Sequence, residues 1–422
     1  MEYSYSLHVD IPQIATDISI ANSLDSNPLE KSMKVQKYSD WSQGIHQRLL
    51  GQRIPISGSI EVTRRCNNQC IHCYNNLSAG DRKAKDEELS IDEYCRILDE
   101  IVEAGCLWLL FTGGEIFIRQ DFFKIYTYAR QKGLLITLFT NGTLITTEIA
   151  DQLAQLPPFS IEITIYGHSK ETYESITKIP GSYDHCINGI HLLMDRKLPL
   201  KLKTMAITPN KHELREMSRF VAEDLGLEFR IDAMINPRLD CSQSPLDVRL
   251  TPAEVVELDL KYPERVSEWK RFADHFSTPD IEINYPNNLY GCGAGNHSFA
   301  IDPNGKLRLC VLSSVDCFDL RKDSFKQGWE TFLAAERRTK ASRITKCTNC
   351  RLKSMCGMCP ANSKLECSDK ETPVDYLCRV AHLRAYALDL PIALHGECEY
   401  CEGGSGYAAI MGTVEGLKER FA

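Results

Sequence analysis

Residues 56–74 read ISGSIEVTRRCNNQCIHCY. The first eight, ISGSIEVT, have the composition and length of a strand, and they run straight into a loop carrying Cys66, Cys70 and Cys73. Strand and helix then alternate along the chain. Residues 90–104 read as a helix, with Ser90 and Glu93 as a capping box and Ile91, Tyr94, Leu98 and Ile101 as its apolar face. Strands are expected at 106–114, 135–142, 159–167, 200–208 and 227–235, and helices at 121–132, 146–156, 183–197 and 211–225. Six strands with crossover helices predict an α/β fold, a partial (β/α)6 TIM-like barrel left open because closure takes eight repeats. In such folds the working face lies at the C-terminal ends of the strands. The cysteine loop, Gly113-Gly114-Glu115, Asn141-Gly142 and Tyr166-Gly167 all fall there.

Three thiolates this close can grip three irons of a [4Fe–4S] cube and leave the fourth iron without a protein ligand. Zinc, which normally takes four ligands, and structural thiols are the competing readings. More cysteines follow: Cys292, then Gly305-x4-Cys310, then Cys347-x2-Cys350-x5-Cys356-x2-Cys359, then Cys378. The run from Cys347 to Cys359 would by itself also suit a zinc ribbon. Cys95, Cys106 and Cys186 lie among apolar neighbours and read as small hydrophobes. Cys398-x2-Cys401, on what reads as a flexible tail, is open between a redox pair, a metal clip and idle surface thiols.

At 422 residues the chain exceeds one ordinary core, and 43% hydrophobic with 25% charged residues is the balance of a soluble globular protein. Eighteen cysteines in short C-x2-C spacings favour metal over disulfides. No run approaches the roughly 18 apolar residues of a membrane span. The opening MEYSYSLHVDIPQ lacks the basic and apolar regions of a signal peptide. A cytoplasmic location with reduced cysteines is therefore expected. A net charge of −8 gives no basic face for nucleic acid. Residues 1–52 read as an N-terminal extension: a strand alternating from Tyr3 to Ile11, a polar loop over 18–38, and a short helix marked by Trp41, Ile45 and Leu49. The barrel is placed at 53–238, a bridging region with helices near 252–260 and 264–275 at 239–284, a cysteine-rich domain at 285–388 and a tail at 389–422.

Cys66-x3-Cys70-x2-Cys73-Tyr74 after a first strand, with Gly113-Gly114-Glu115 ending the second, resembles the signature of the radical S-adenosylmethionine enzymes. The resemblance implies that Cys66, Cys70 and Cys73 ligate a [4Fe–4S] cluster whose open iron is chelated by S-adenosylmethionine. One-electron cleavage would then give a 5′-deoxyadenosyl radical that takes hydrogen from a substrate, with the hard chemistry carried by the cofactors. By carry-over, Tyr74 packs at the adenine, Gly113 and Gly114 permit close backbone approach, Glu115 meets the methionine ammonium, and Thr164 contacts the ribose or carboxylate. The cysteines from Cys292 to Cys378 resemble the SPASM extension, with two residues in the last short gap where that family has three. This implies two auxiliary [4Fe–4S] clusters, an outer one on Cys347, Cys350, Cys356 and Cys378 and an inner one on Cys292, Cys310 and Cys359. The inner cluster's fourth cysteine is missing from 281–291, IEINYPNNLYG. That implies an open iron able to take a substrate heteroatom; the alternative is that Cys317, Cys241 or a tail cysteine fills the place.

The wording of these motifs is similar to the peptide-maturing branch of the family. The implied substrate is a ribosomally synthesised peptide, to be crosslinked, epimerised or otherwise modified. Radical chemistry on a small molecule (an amino acid, sugar or nucleotide) is the alternative enzyme reading, and a non-catalytic metal-binding regulator the third. Implied partners are an electron donor such as flavodoxin or ferredoxin and a separate leader-peptide-binding protein, since only some fifty residues precede the barrel. For the substrate step, Asp232 on the last barrel strand and Tyr285 are positional candidates for an acid or base.

Overall fold

The computed structural model describes residues 37–49, 51–75, 77–276, 288–314, 316–348, 350, 352–390 and 398–421. The expected strand between Tyr3 and Ile11 and the candidate Tyr285 lie outside them. The main strands are β1 (Ser57–Glu61), β2 (Trp108–Thr112), β3 (Leu135–Thr140), β4 (Ser160–Thr164), β5 (Leu200–Met205), β6 (Phe229–Asp232), β7 (Ser298–Ile301), β8 (Lys306–Arg308) and β9 (Phe318–Asp319). They form one sheet in the order β9-β8-β7-β1-β2-β3-β4-β5-β6. Strands β1 to β6 are parallel neighbours in chain order, which is the expected open (β/α)6 arrangement.

Their register explains the burial. Ile60, Phe111, Leu138, Ile161 and Leu200 fall in one row across the sheet, and all are buried in the main core. Helices cover that face: α2 (Ile91–Glu103), α3 (Phe122–Gln131), α4 (Thr147–Gln155), α5 (Lys170–Thr177), α6 (Ser182–Asp195) and α7 (Leu214–Arg219), after a first helix α1 (Tyr38–Arg48). In α2 the buried face is Tyr94, Ile97, Leu98 and Ile101, and both halves of the Ser90–Glu93 capping box form. Ser90→Ala removes the acceptor for the Glu93 N–H, so a loss of about 1 kcal/mol is expected in a denaturant titration. Helix α5 was not anticipated. Its signal is short: Ser169 accepts from the Thr172 N–H as N-cap, and Tyr173 and Ile176 are buried.

The sheet does not stop at the boundary expected at 285. Strand β7 pairs parallel with β1, on the side away from β2, and β8 and β9 continue it antiparallel. Phe299 sits opposite Gly58, where any Cβ would collide with its ring. Farther on, α8 (Pro252–Lys261), α9 (Pro263–Phe276), α10 (Asp375–Ala387) and α11 (Tyr407–Phe421) pack together. Ile410, Val414 and Leu417 of α11 bury one stripe against Val256 and Leu383. This corrects the reading of the tail as a flexible segment. The glycines before Tyr407 hid a stripe of period 3.6 that closes onto α8 and α10.

Candidate active site

The cysteine loop is held from below by its neighbour strand. The N–H of Gly114 donates to the Thr63 carbonyl at 2.7 Å and that of Glu115 to the Arg65 carbonyl at 2.9 Å. A Cβ on Gly113 would strike the Thr63 carbonyl, and one on Gly114 the Arg65 carbonyl; Gly113 also has φ +140°. The close approach allowed by this glycine pair is therefore toward the loop that carries the cysteines. From the other side, Arg65 reaches Glu88 with Nε at 2.9 Å and a terminal nitrogen at 3.0 Å, a buried bidentate pair that Arg119 joins at 3.5 Å.

Glu115 is fully buried. Thr140 Oγ1 and the Asn141 N–H donate to its two oxygens, both at 2.7 Å, and the Phe117 N–H donates at 3.2 Å. Burial pushes its carboxyl up, against these donors. Glu115 thus ties β2 to the end of β3. Asn141 in turn donates to Asn67 at 3.0 Å and reaches the Cys66 sulfur at 3.7 Å. The sequence placed Asn141 at the mouth as a turn residue and gave it no role.

Backbone N–H groups of Asn68 and Asn75 point at the sulfurs of Cys66 and Cys73, each at 3.4 Å, the arrangement that stabilises a metal-bound thiolate. Burial pushes the Cys66 thiol up to about 12, with Glu115 adding to it. Cys70 is pushed well above its ordinary range by burial and then by Cys73 and Cys66. Three such sulfurs stand together as thiolates only with a cation between them, so the loop fits an iron–sulfur cluster. The buried amide of Asn68 adds an orphaned donor and acceptor within the loop. Tyr74 is half-buried, its hydroxyl donating to Glu61 at 3.3 Å, and the Asn75 side chain donates to the same oxygen at 2.6 Å.

The face of the sheet opposite the helices is polar. Lys203 Nζ donates to Glu162 at 3.0 Å and sits 2.9 Å from the centre of the Phe139 ring. Burial pushes this ammonium down to about 8. Thr164 is the register partner of Lys203. Asp232 is exposed at the end of β6 and accepts from the Met234 N–H at 2.9 Å. Burial alternates strictly along LKLKTM, with Leu200, Leu202 and Thr204 buried and the lysines on the other face.

The later cysteines gather in two places. Cys347, Cys350, Cys356 and Cys378 line one cavity with His382 and Cys398. Cys310 is partly buried and its thiol is pushed up to about 12 by burial, with Cys359 and Cys292 as its neighbouring charges, and Tyr290 stands near Cys310 and Cys359. Of the residues weighed as a fourth ligand there, Cys241 faces the Lys364 carbonyl at 3.8 Å, Cys317 is exposed, and Cys398 and Cys401 lie beside His382.

The description "Radical SAM superfamily" matches residues 60–221, from β1 through α7. This is a radical SAM enzyme. Its family implies S-adenosylmethionine and one [4Fe–4S] cluster. The enzyme is 25% identical over 324 residues to an AdoMet-dependent heme synthase of Methanosarcina barkeri, covering 72% of this chain and 90% of that one. It is 26% identical over 258 residues to the PqqA peptide cyclase of Bradyrhizobium diazoefficiens, covering 61% and 67%. In fold it resembles Streptococcus suis SuiB, solved bound to precursor peptide SuiA, with TM-score 0.62, 17% identity and coverage of 86% and 83%. No helix among the described residues of this radical SAM enzyme is long and apolar enough to cross a membrane.

Proposed function

We propose that this radical SAM enzyme modifies a ribosomally synthesised peptide. The observation that carries the reading is the likeness to PqqA peptide cyclase; the fold shared with SuiB, a protein solved with a precursor peptide, is compatible with it. Cys66, Cys70 and Cys73 would hold the catalytic cluster, which when bound and reduced would supply one electron for reductive cleavage of S-adenosylmethionine. Gly113 and Gly114 keep the cysteine loop against β2. Glu115, expected to meet the methionine ammonium, is held in place by Thr140 and Asn141. Tyr74 and Thr164 flank the space for the nucleoside. The Glu162–Lys203 pair gives the inner face a fixed dipole for orienting a polar substrate.

In the same reading Cys347, Cys350, Cys356 and Cys378 hold an outer auxiliary cluster, and Cys292, Cys310 and Cys359 an inner one with an open iron for a substrate heteroatom. An electron donor such as flavodoxin or ferredoxin and a leader-binding partner complete the system. A porphyrin substrate is the second reading, favoured by the longer likeness to the heme synthase; it belongs to the small-molecule class, though not to the amino acids, sugars or nucleotides first considered. Reduced enzyme with S-adenosylmethionine should therefore be offered peptides encoded beside its gene and, separately, iron porphyrins. Mass-shifted peptide is the expected result; a changed porphyrin with untouched peptides overturns the peptide reading.

A further inference from the structure

Helix α10 presents Cys378 and, one turn later, His382. The His382 ring is fully buried. Its Nδ1 lies 2.8 Å from the carbonyl oxygen of Cys378. A carbonyl only accepts, so Nδ1 carries the proton, and Nε2 is left with one lone pair. Two sulfurs approach that lone pair from the turn before α11: Cys398 at 3.3 Å and Cys401 at 3.7 Å. A tetrahedral zinc with bonds of ~2.0–2.1 Å to nitrogen and ~2.3 Å to sulfur sets nitrogen and sulfur about 3.6 Å apart, and the two observed separations bracket that value. The Nδ1–H bond to a carbonyl is also what orients and fixes the tautomer of a metal-bound imidazole.

The turn is built rigidly. Lys346 pairs with Glu399, and the Tyr400 hydroxyl donates to Asp375 at 2.7 Å. The Gly404 N–H closes onto Cys401, and the Gly406 N–H onto Glu399, each at 2.8 Å. Both cysteines are buried.

We propose that His382 Nε2, Cys398 and Cys401 bind a single zinc ion, a Cys2His site distinct from the iron–sulfur sets, with water in the fourth position. Cys378 Sγ, His382 and Cys398 lie within 4.8 Å of one another, so the zinc stands directly beside the outer set. It would clamp the tail turn over that set. The proposal is independent of the substrate, and its failure leaves the peptide reading untouched.

The test uses the full chain with its clusters reconstituted anaerobically and zinc supplied, then washed with chelator. Metal analysis should find about one zinc per chain, and zinc-edge X-ray absorption two sulfurs at ~2.3 Å and one imidazole nitrogen. Cys401→Ser and His382→Gln should each lose at least four-fifths of the zinc while keeping the wild-type iron. No zinc in the wild type, unchanged zinc in both variants, or iron falling in place of zinc overturns the proposal. A third sulfur in the wild-type absorption spectrum does so too, since it would move Cys378 out of the outer set. The wild-type spectrum decides the matter even if a variant fails to fold.

Discussion

Gly114→Ala is expected to cost the enzyme its catalytic cluster: about four irons fewer per chain, and 5′-deoxyadenosine formation reduced at least a hundredfold. The cause is steric. The added methyl has the carbonyls of Arg64 and Arg65 in its place, and backbone cannot turn aside as a side-chain tip can. Relief means lifting the Arg65–Cys66 segment off β2, which breaks the bonds from the Gly114 and Glu115 N–H groups and tilts the Cys66 sulfur away from its partners. Overpacking of this kind costs ~1–3 kcal/mol at a yielding site, and the pair of Arg65 with Glu88 makes this one stiff. Iron and sulfide analysis beside a coupled product assay reads the outcome. A variant with full iron and a normal rate would show that the glycine pair does not support the loop.

Arg384→Met is expected to destabilise the C-terminal half by ~3–5 kcal/mol, because it strips one cation from a fully buried carboxylate. Asp259 receives Arg384 Nε at 2.7 Å on one oxygen and Arg265 on the other at 2.7 and 3.0 Å. Burial alone would raise the Asp259 carboxyl, and the two guanidiniums more than offset it, holding it below the usual range. The folded pKa is thus depressed: the stabilisation is present above the unfolded value of about 3.9 and is lost as pH falls through the folded one. The variant should therefore lose most against wild type near neutrality and progressively less in acid. Since α10 carries Cys378, the iron of the proposed outer cluster should fall as well. The double variant Asp259→Leu with Arg384→Met should recover much of the denaturation midpoint. Equal midpoints for wild type and Arg384→Met would refute the argument.

The barrel was legible because its signals are local and repeated. Runs such as LITLFT and SIEIT are strands of ordinary length, and the Ser90–Glu93 box marks a helix start by side-chain chemistry alone. The cysteine loop was legible from spacing. What escaped was whatever depends on a partner distant in sequence. His382 drew no attention in the sequence, and only the fold brings Cys398 and Cys401 to it. The donors to Glu115, Thr140 and Asn141, appear only in the fold. Lys203 needed the barrel's curvature to give its alternation an inside.

The pairing of β7 with β1 carries a consequence for how the chain is made. Strand β1 leaves the ribosome early and meets β2 about fifty residues later, but its other edge is completed only at Ser298. For some 240 residues of synthesis that edge offers unpaired N–H and C=O groups to any neighbouring strand. A contact this distant in sequence slows folding. Yield in a heterologous host should accordingly respond to slower translation and lower temperature, with insoluble material enriched in chains that end before residue 298.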